Sequence, residues 1–83
     1  MIVISSIKPA GPGQMEIQFV APHAARSFQM QYKDDLLAPA WTDVAPADGG
    51  ILVSTKDGET LTFLDKKATS PQRFYRVKQL FVI

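Results

Sequence analysis

Gln14-Met15-Glu16-Ile17-Gln18-Phe19-Val20 and Ser27-Phe28-Gln29-Met30-Gln31-Tyr32-Lys33 alternate apolar and polar residues. A period of two puts successive side chains on opposite faces, so each stretch reads as a strand with one buried face. Met15, Ile17 and Phe19 share the inward face of the first. Phe28, Met30 and Tyr32 share that of the second. Gln14, Glu16 and Gln18 in one, and Gln29, Gln31 and Lys33 in the other, are expected to face solvent.

The same reading extends outward along the chain. Residues 2–7 form a short strand, which Lys8-Pro9-Ala10-Gly11-Pro12-Gly13 is expected to end, because proline and glycine interrupt a ladder. Residues 21–26 are a connection. Asp34-Asp35-Leu36-Leu37-Ala38-Pro39-Ala40 has room for one helical turn capped by Asp34 or Asp35, closed by Pro39. Trp41-Thr42-Asp43-Val44 is a short strand, and residues 45–50 are a turn. Residues 65–72 are a polar crossing. In the final segment, Tyr75 and Val77 point inward while Phe74, Arg76 and Lys78 point outward. The alternation breaks after Gln79.

Residues 51–64 predict a hairpin. Ile51-Leu52-Val53-Ser54-Thr55 and Glu59-Thr60-Leu61-Thr62-Phe63-Leu64 flank Lys56-Asp57-Gly58, and Asp-Gly between strand-prone runs is a turn signal. A two-residue loop pairs Thr55 with Thr60. A three-residue loop pairs Thr55 with Glu59 and puts Ile51, Val53, Leu61 and Phe63 on one face. Register follows the buried pattern, so the three-residue loop is expected, with Gly58 at positive φ. In all, six clear strands and one short one are separated by turn signals. The expected fold is all-β, an antiparallel β-sandwich of about seven strands in a single domain over residues 1–83.

The chain has 83 residues, 46% of them hydrophobic, and no cysteine. Disulfides and thiolate metal sites are excluded, and the core must hold by packing alone. Nine basic against eight acidic residues leave a formal charge of +1. That balance argues against nucleic acid or an anionic membrane surface as partner. No apolar run approaches a membrane span, so no membrane insertion is expected. Residues 1–7 are apolar but lack the basic flank and cleavage site of a signal peptide.

Catalytic chemistry finds little to stand on. His23, the single histidine, lies in an Ala/Pro connection without a neighbouring acid, so a solvated loop position is expected. Asp34, Asp35, Asp43, Asp48, Asp57 and Asp65 lie in or beside turns, where aspartate bonds its own backbone; no calcium-loop pattern accompanies them. No catalytic residue, metal site or cofactor is expected. Phe19, Phe28, Tyr32, Phe63 and Tyr75 are assigned to the core. Trp41 suits either a sugar platform or, as packing favours, a cover over the edge of the fold. Phe74, Arg76, Lys78, Lys33 and Gln31, with Gln29, form a polar-aromatic face if the third and last strands are neighbours. The plainer reading has Phe74 covering a strand edge.

Several stretches together carry a resemblance. They are Phe28-Gln29-Met30-Gln31-Tyr32-Lys33-Asp34-Asp35-Leu36, then Trp41-Thr42, Thr62-Phe63-Leu64-Asp65 and Pro71-Gln72-Arg73-Phe74-Tyr75-Arg76-Val77. From about Gln14 to Val77 the chain resembles a fibronectin type III or immunoglobulin-like module found at the C-terminal end of secreted bacterial proteins. It departs in Lys33-Asp34-Asp35-Leu36, where a small residue and one aspartate are usual, and in a longer insert before Trp41. The resemblance implies a non-catalytic accessory module, acting as a spacer or a protein-contact domain and cut from a larger extracellular or cell-surface protein. Its partner would be a neighbouring domain or another protein. The alternative is carbohydrate binding, with Trp41 and Phe74 meeting a polysaccharide.

Overall fold

A computed structural model describes residues 2–37, 39–68 and 73–80. Its strands are β1 (Ile4–Gly11), β2 (Gln14–Ala21), β3 (Ser27–Lys33), β4 (Thr42–Asp43), β5 (Ile51–Val53), β6 (Glu59–Asp65) and β7 (Phe74–Leu80). One turn of 3-10 helix, Pro46–Asp48, is the only helical element among the described residues. The fold is therefore all-β, and every strand pair is antiparallel.

The two strands that alternate most strictly become the centres of two sheets. Strand β2 lies between β1 and β6. Strand β3 carries β7 along one edge, and β5 and then β4 along the other. Ile17, Phe19 and Ala21 of β2 and Phe63 of β6 meet Phe28 and Met30 of β3, Val44 and Tyr75 in one core cluster. The Phe19 and Phe28 rings join the sheets edge to face, with centroids 5.4 Å apart. That geometry sets the positive ring edge against the negative face. Each such fully buried side chain contributes roughly 1.5–3 kcal/mol of transfer free energy.

The first strand runs further than expected. It continues through Pro9 to Gly11, and the chain reverses at Pro12-Gly13, with Gly13 at φ 69°. Strand β1 is the edge of its sheet, so the missing Pro9 N–H removes no needed ladder bond. Proline followed by a glycine at positive φ suits a tight turn. The stretch with room for a helical turn shows none among its described residues, 34–37 and 39–40. Asp35 Oδ1 instead accepts the Leu37 N–H at 2.9 Å, closing a local turn.

The hairpin expected over residues 51–64 does not form. Gly58 has the expected left-handed conformation, at φ 73°. Yet β5 pairs with β3 and β6 pairs with β2, so the two runs belong to different sheets. Leu52 packs toward the core, while Ile51 and Val53 are exposed. Residues 54–58 form a crossing fastened to an earlier one, residues 22–26. Ser54 Oγ donates to the His23 carbonyl at 2.7 Å and accepts the Arg26 N–H at 3.0 Å. Asp57 Oδ1 accepts the Ala24 N–H at 2.8 Å, and Gly58 N–H donates to the Ala21 carbonyl at 2.9 Å. Asp-Gly thus fixed the bend but not the pairing: β6 takes a seven-residue ladder on β2, while β5 pairs through three residues with β3.

Pro71, Gln72 and residues 81–83 lie outside the described residues, so the polar crossing is seen only in part. In urea titrations, Phe63→Ala should lose about 3–5 kcal/mol. Val53→Thr should change stability by less than about 0.5 kcal/mol. Comparable losses would contradict the outward placement of Val53. A Cβ on Gly50 would run into the Val44 carbonyl. Gly50→Ala should therefore cost about 1–3 kcal/mol by the same titration, as overpacking does.

Candidate functional site

Antiparallel pairing of β3 with β7 brings the polar-aromatic residues onto one face. Lys33 stands opposite Phe74, Gln31 opposite Arg76 and Gln29 opposite Lys78. On the other side of β3, Gln31 also faces Asp43 of β4. The third and last strands are therefore neighbours, and the outward face runs from Phe74 and Lys33 to Lys78.

Trp41 precedes β4 and lies at this face, half-buried and outside the core cluster. Lys33 Nζ and Arg76 Cζ each lie 4.7 Å from the centroid of its ring. A cation over an indole face is held by the ring quadrupole, and a tryptophan face is the best of the aromatic faces for it. Trp41, expected either as a sugar platform or as a cover over the edge of the fold, sits half-buried in a cation-aromatic cluster on the outer face. Arg76 and Lys78 are exposed as expected, and Phe74 is half-buried rather than open.

Gln29 and Gln31 depart from expectation, for both are buried. Strands β4 and β5 meet the same edge of β3 at different heights, leaving a gap beside Met30. The Gln29 amide fills it, donating to the carbonyls of Met30 at 2.8 Å, Val44 at 2.9 Å and Gly50 at 3.3 Å. Gln31 is a relay: its Oε1 accepts Arg76 Nε–H at 2.6 Å, and its Nε2 donates to Asp43 Oδ1 at 2.6 Å. Period two identifies a face, but it does not say whether a loop covers that face.

A second constellation faces inward. A cleft of about 630 Å³ is lined by residues including Tyr32, Asp43, Phe63, Asp65, Lys67 and Arg73. Asp65 is buried at its floor. Its Oδ1 accepts the Lys67 N–H at 2.9 Å, and its Oδ2 accepts Tyr75 O–H at 2.6 Å and Arg73 Nη1–H at 3.0 Å. Arg73 also donates from Nε to Asp34 Oδ1 at 2.7 Å, and its Cζ lies 4.1 Å from the Tyr32 ring centroid. Tyr32, assigned to the core, packs half-buried against it, with its ring under this guanidinium.

Electrostatics follow from that packing. Burial works to lower the Arg73 pKa, but its hydrogen bonds to Asp34 and Asp65, with their charge, outweigh it, and the net shift is upward. Burial, then the hydrogen bond to Asp65, pushes the Tyr75 phenol well above its usual 10.0. A phenol so held stays protonated at and above neutrality, and Asp65 already accepts three bonds. The cluster locks the end of the fold; it offers no nucleophile beside a base. Among the described residues no group of three His, Cys, Asp or Glu is placed to hold a metal ion. His23 is exposed in its loop, its carbonyl occupied by Ser54.

Sequence reasoning passed over Arg73. The usable signal was parity, since Arg73 shares the inward register of Tyr75 and Val77. Asp65 was read only as a turn residue, which describes one of its two oxygens.

No family model, curated protein or solved structure matches this chain. No helix among the described residues is long and apolar enough to cross a membrane.

The raised Tyr75 pKa makes the folded state bind that proton more tightly than the unfolded chain does. The associated stability is complete below the unfolded value of about 10 and is lost as pH rises above it. Alkaline titration of a Tyr32→Phe variant should therefore show tyrosinate absorbance appearing only together with unfolding. Absorbance rising while the fold persists would contradict this. Separately, Asp65→Ala leaves the Tyr75 hydroxyl without its acceptor and takes one of two carboxylates from Arg73, and should cost about 1–3 kcal/mol in thermal or urea unfolding.

Proposed function

We propose that this chain is a non-catalytic accessory module of a larger secreted or surface protein, acting through protein contact. In this reading the two sheets are the halves of a fibronectin type III-like or immunoglobulin-like β-sandwich. Supporting it are the Phe19–Phe28 contact between the sheets and the pairing of the third strand with the last. The residues of a contact surface are Trp41, Lys33, Arg76, Gln31, Phe74 and Lys78.

One observation carries the reading: Lys33 and Arg76 both pack against the Trp41 ring on the outer face. Aromatic residues beside arginine on a rigid sheet are what protein interfaces select, because they combine large contact area with little entropy loss. In the cleft, by contrast, Asp65, Arg73 and Tyr75 are occupied with one another. Carbohydrate binding is the second reading, favoured by a tryptophan that is not fully buried. A sugar ring stacking on Trp41 would compete with two cations already there.

The isolated chain should migrate without retardation in native gels containing xylan, soluble cellulose derivatives or glycol chitin. Retardation that Trp41→Ala abolishes would replace protein contact with carbohydrate binding. Hydrolytic turnover by the purified chain would overturn the non-catalytic assignment.

A further inference from the structure

Strand β7 pairs with β3 through all seven of its residues, Phe74–Leu80. No other described strand pairs with it. In an antiparallel ladder, alternate residues turn their N–H and C=O groups away from the neighbour. Among the described residues no turn or loop bond reaches those groups.

The strand edges differ in how they are protected. Strand β1 carries Pro9 and two register shifts, and β4 and β5 are two and three residues long. Such features blunt an edge. Strand β7 has seven residues with neither proline nor glycine. Strand β6 is also long, but its outward residues Thr60, Thr62 and Leu64 are uncharged and select no partner. On β7 the outward residues are Phe74, Arg76, Lys78 and Leu80. Arg76 is bonded to a neutral amide, and Lys78 is exposed.

Those two charges decide what β7 accepts. A second copy, laid antiparallel with its inner face kept inward, sets Arg76 against Lys78, or one of the two against itself. Like charges directly across a ladder are destabilising. A strand with carboxylates at two alternate positions reverses the sign. We propose that β7 accepts an extended acidic segment of another protein as an added strand. Its carboxylates flank Arg76 and Lys78, a small apolar residue between them lies beside Val77, and apolar residues at the ends lie beside Phe74 and Leu80. Backbone bonds supply the affinity and the alternate side chains supply the choice. The proposal rests on the protein-contact reading and names the contact.

The test uses two peptides, Val-Thr-Glu-Val-Glu-Thr-Val and Val-Thr-Lys-Val-Lys-Thr-Val, titrated into the isotope-labelled chain. The acidic peptide should shift the β7 amides, slow their hydrogen exchange and show backbone contacts to β7. The lysine peptide should bind at least about fivefold more weakly, and Lys78→Glu should narrow or invert that ratio. Equal binding of both peptides, or no binding of the acidic one up to its solubility limit, would overturn the proposal. So would dimerisation of the chain through β7 in sedimentation equilibrium. Shifts around Trp41 without β7 amide protection would end strand addition yet leave the protein-contact reading standing. That reading fails on its own terms, by polysaccharide retention or turnover.

Discussion

Ser54 holds together two of the connections that carry the chain between its sheets. Its hydroxyl donates to the His23 carbonyl and accepts the Arg26 N–H, while its own backbone bonds Arg26 and Ala25. Non-ladder backbone near a core must find partners, or each buried group costs about 1–3 kcal/mol. One buried hydroxyl supplies two of those partnerships at a point where the chain cannot form a ladder. With the crossings fixed side by side, Phe19 and Phe28 are brought from different sheets into contact. The core depends on that alignment, since edge-to-face packing tolerates little lateral slip.

The other end of the fold is held differently. There Asp65, Arg73, Asp34 and Tyr75 form a bonded network with Tyr32 under the guanidinium. A buried ion pair adds little net stability compared with apolar packing, but it is intolerant of a missing partner. It therefore acts as a positional lock: Arg73 precedes β7 and Asp65 ends β6, so the pair fixes where the last strand begins. That start sets the register in which Arg76 meets Gln31 and Lys33 meets Phe74. The inward lock and the outward face are consequently two results of one strand placement. Gln31 and Asp43 tie the outer face to β4, just as Asp65 ties the inner cleft to β6.

The sequence by itself determined the strands and much of their facing. Alternation in residues 14–20 and 27–33 needed nothing beyond the chemistry of side chains on opposite faces. The joint occurrence of Lys33, Gln31, Arg76 and Lys78 on one face was legible too, once the third and last strands were taken as neighbours. Tertiary structure alone decided the rest. Asp57-Gly58 specified a bend, but the choice between pairing with β6 and pairing with β3 lay in ladders offered by distant residues. Gln29 and Gln31 looked solvent-facing because periodicity reports direction, whereas burial depends on tertiary partners: the Val44 and Gly50 carbonyls for Gln29, Asp43 and Arg76 for Gln31. Asp65 and Arg73 met only because two sheets brought them together, for eight positions apart in sequence their attraction has no local trace. Local pattern is written along the chain, while pairing and coverage belong to the surfaces it makes when folded.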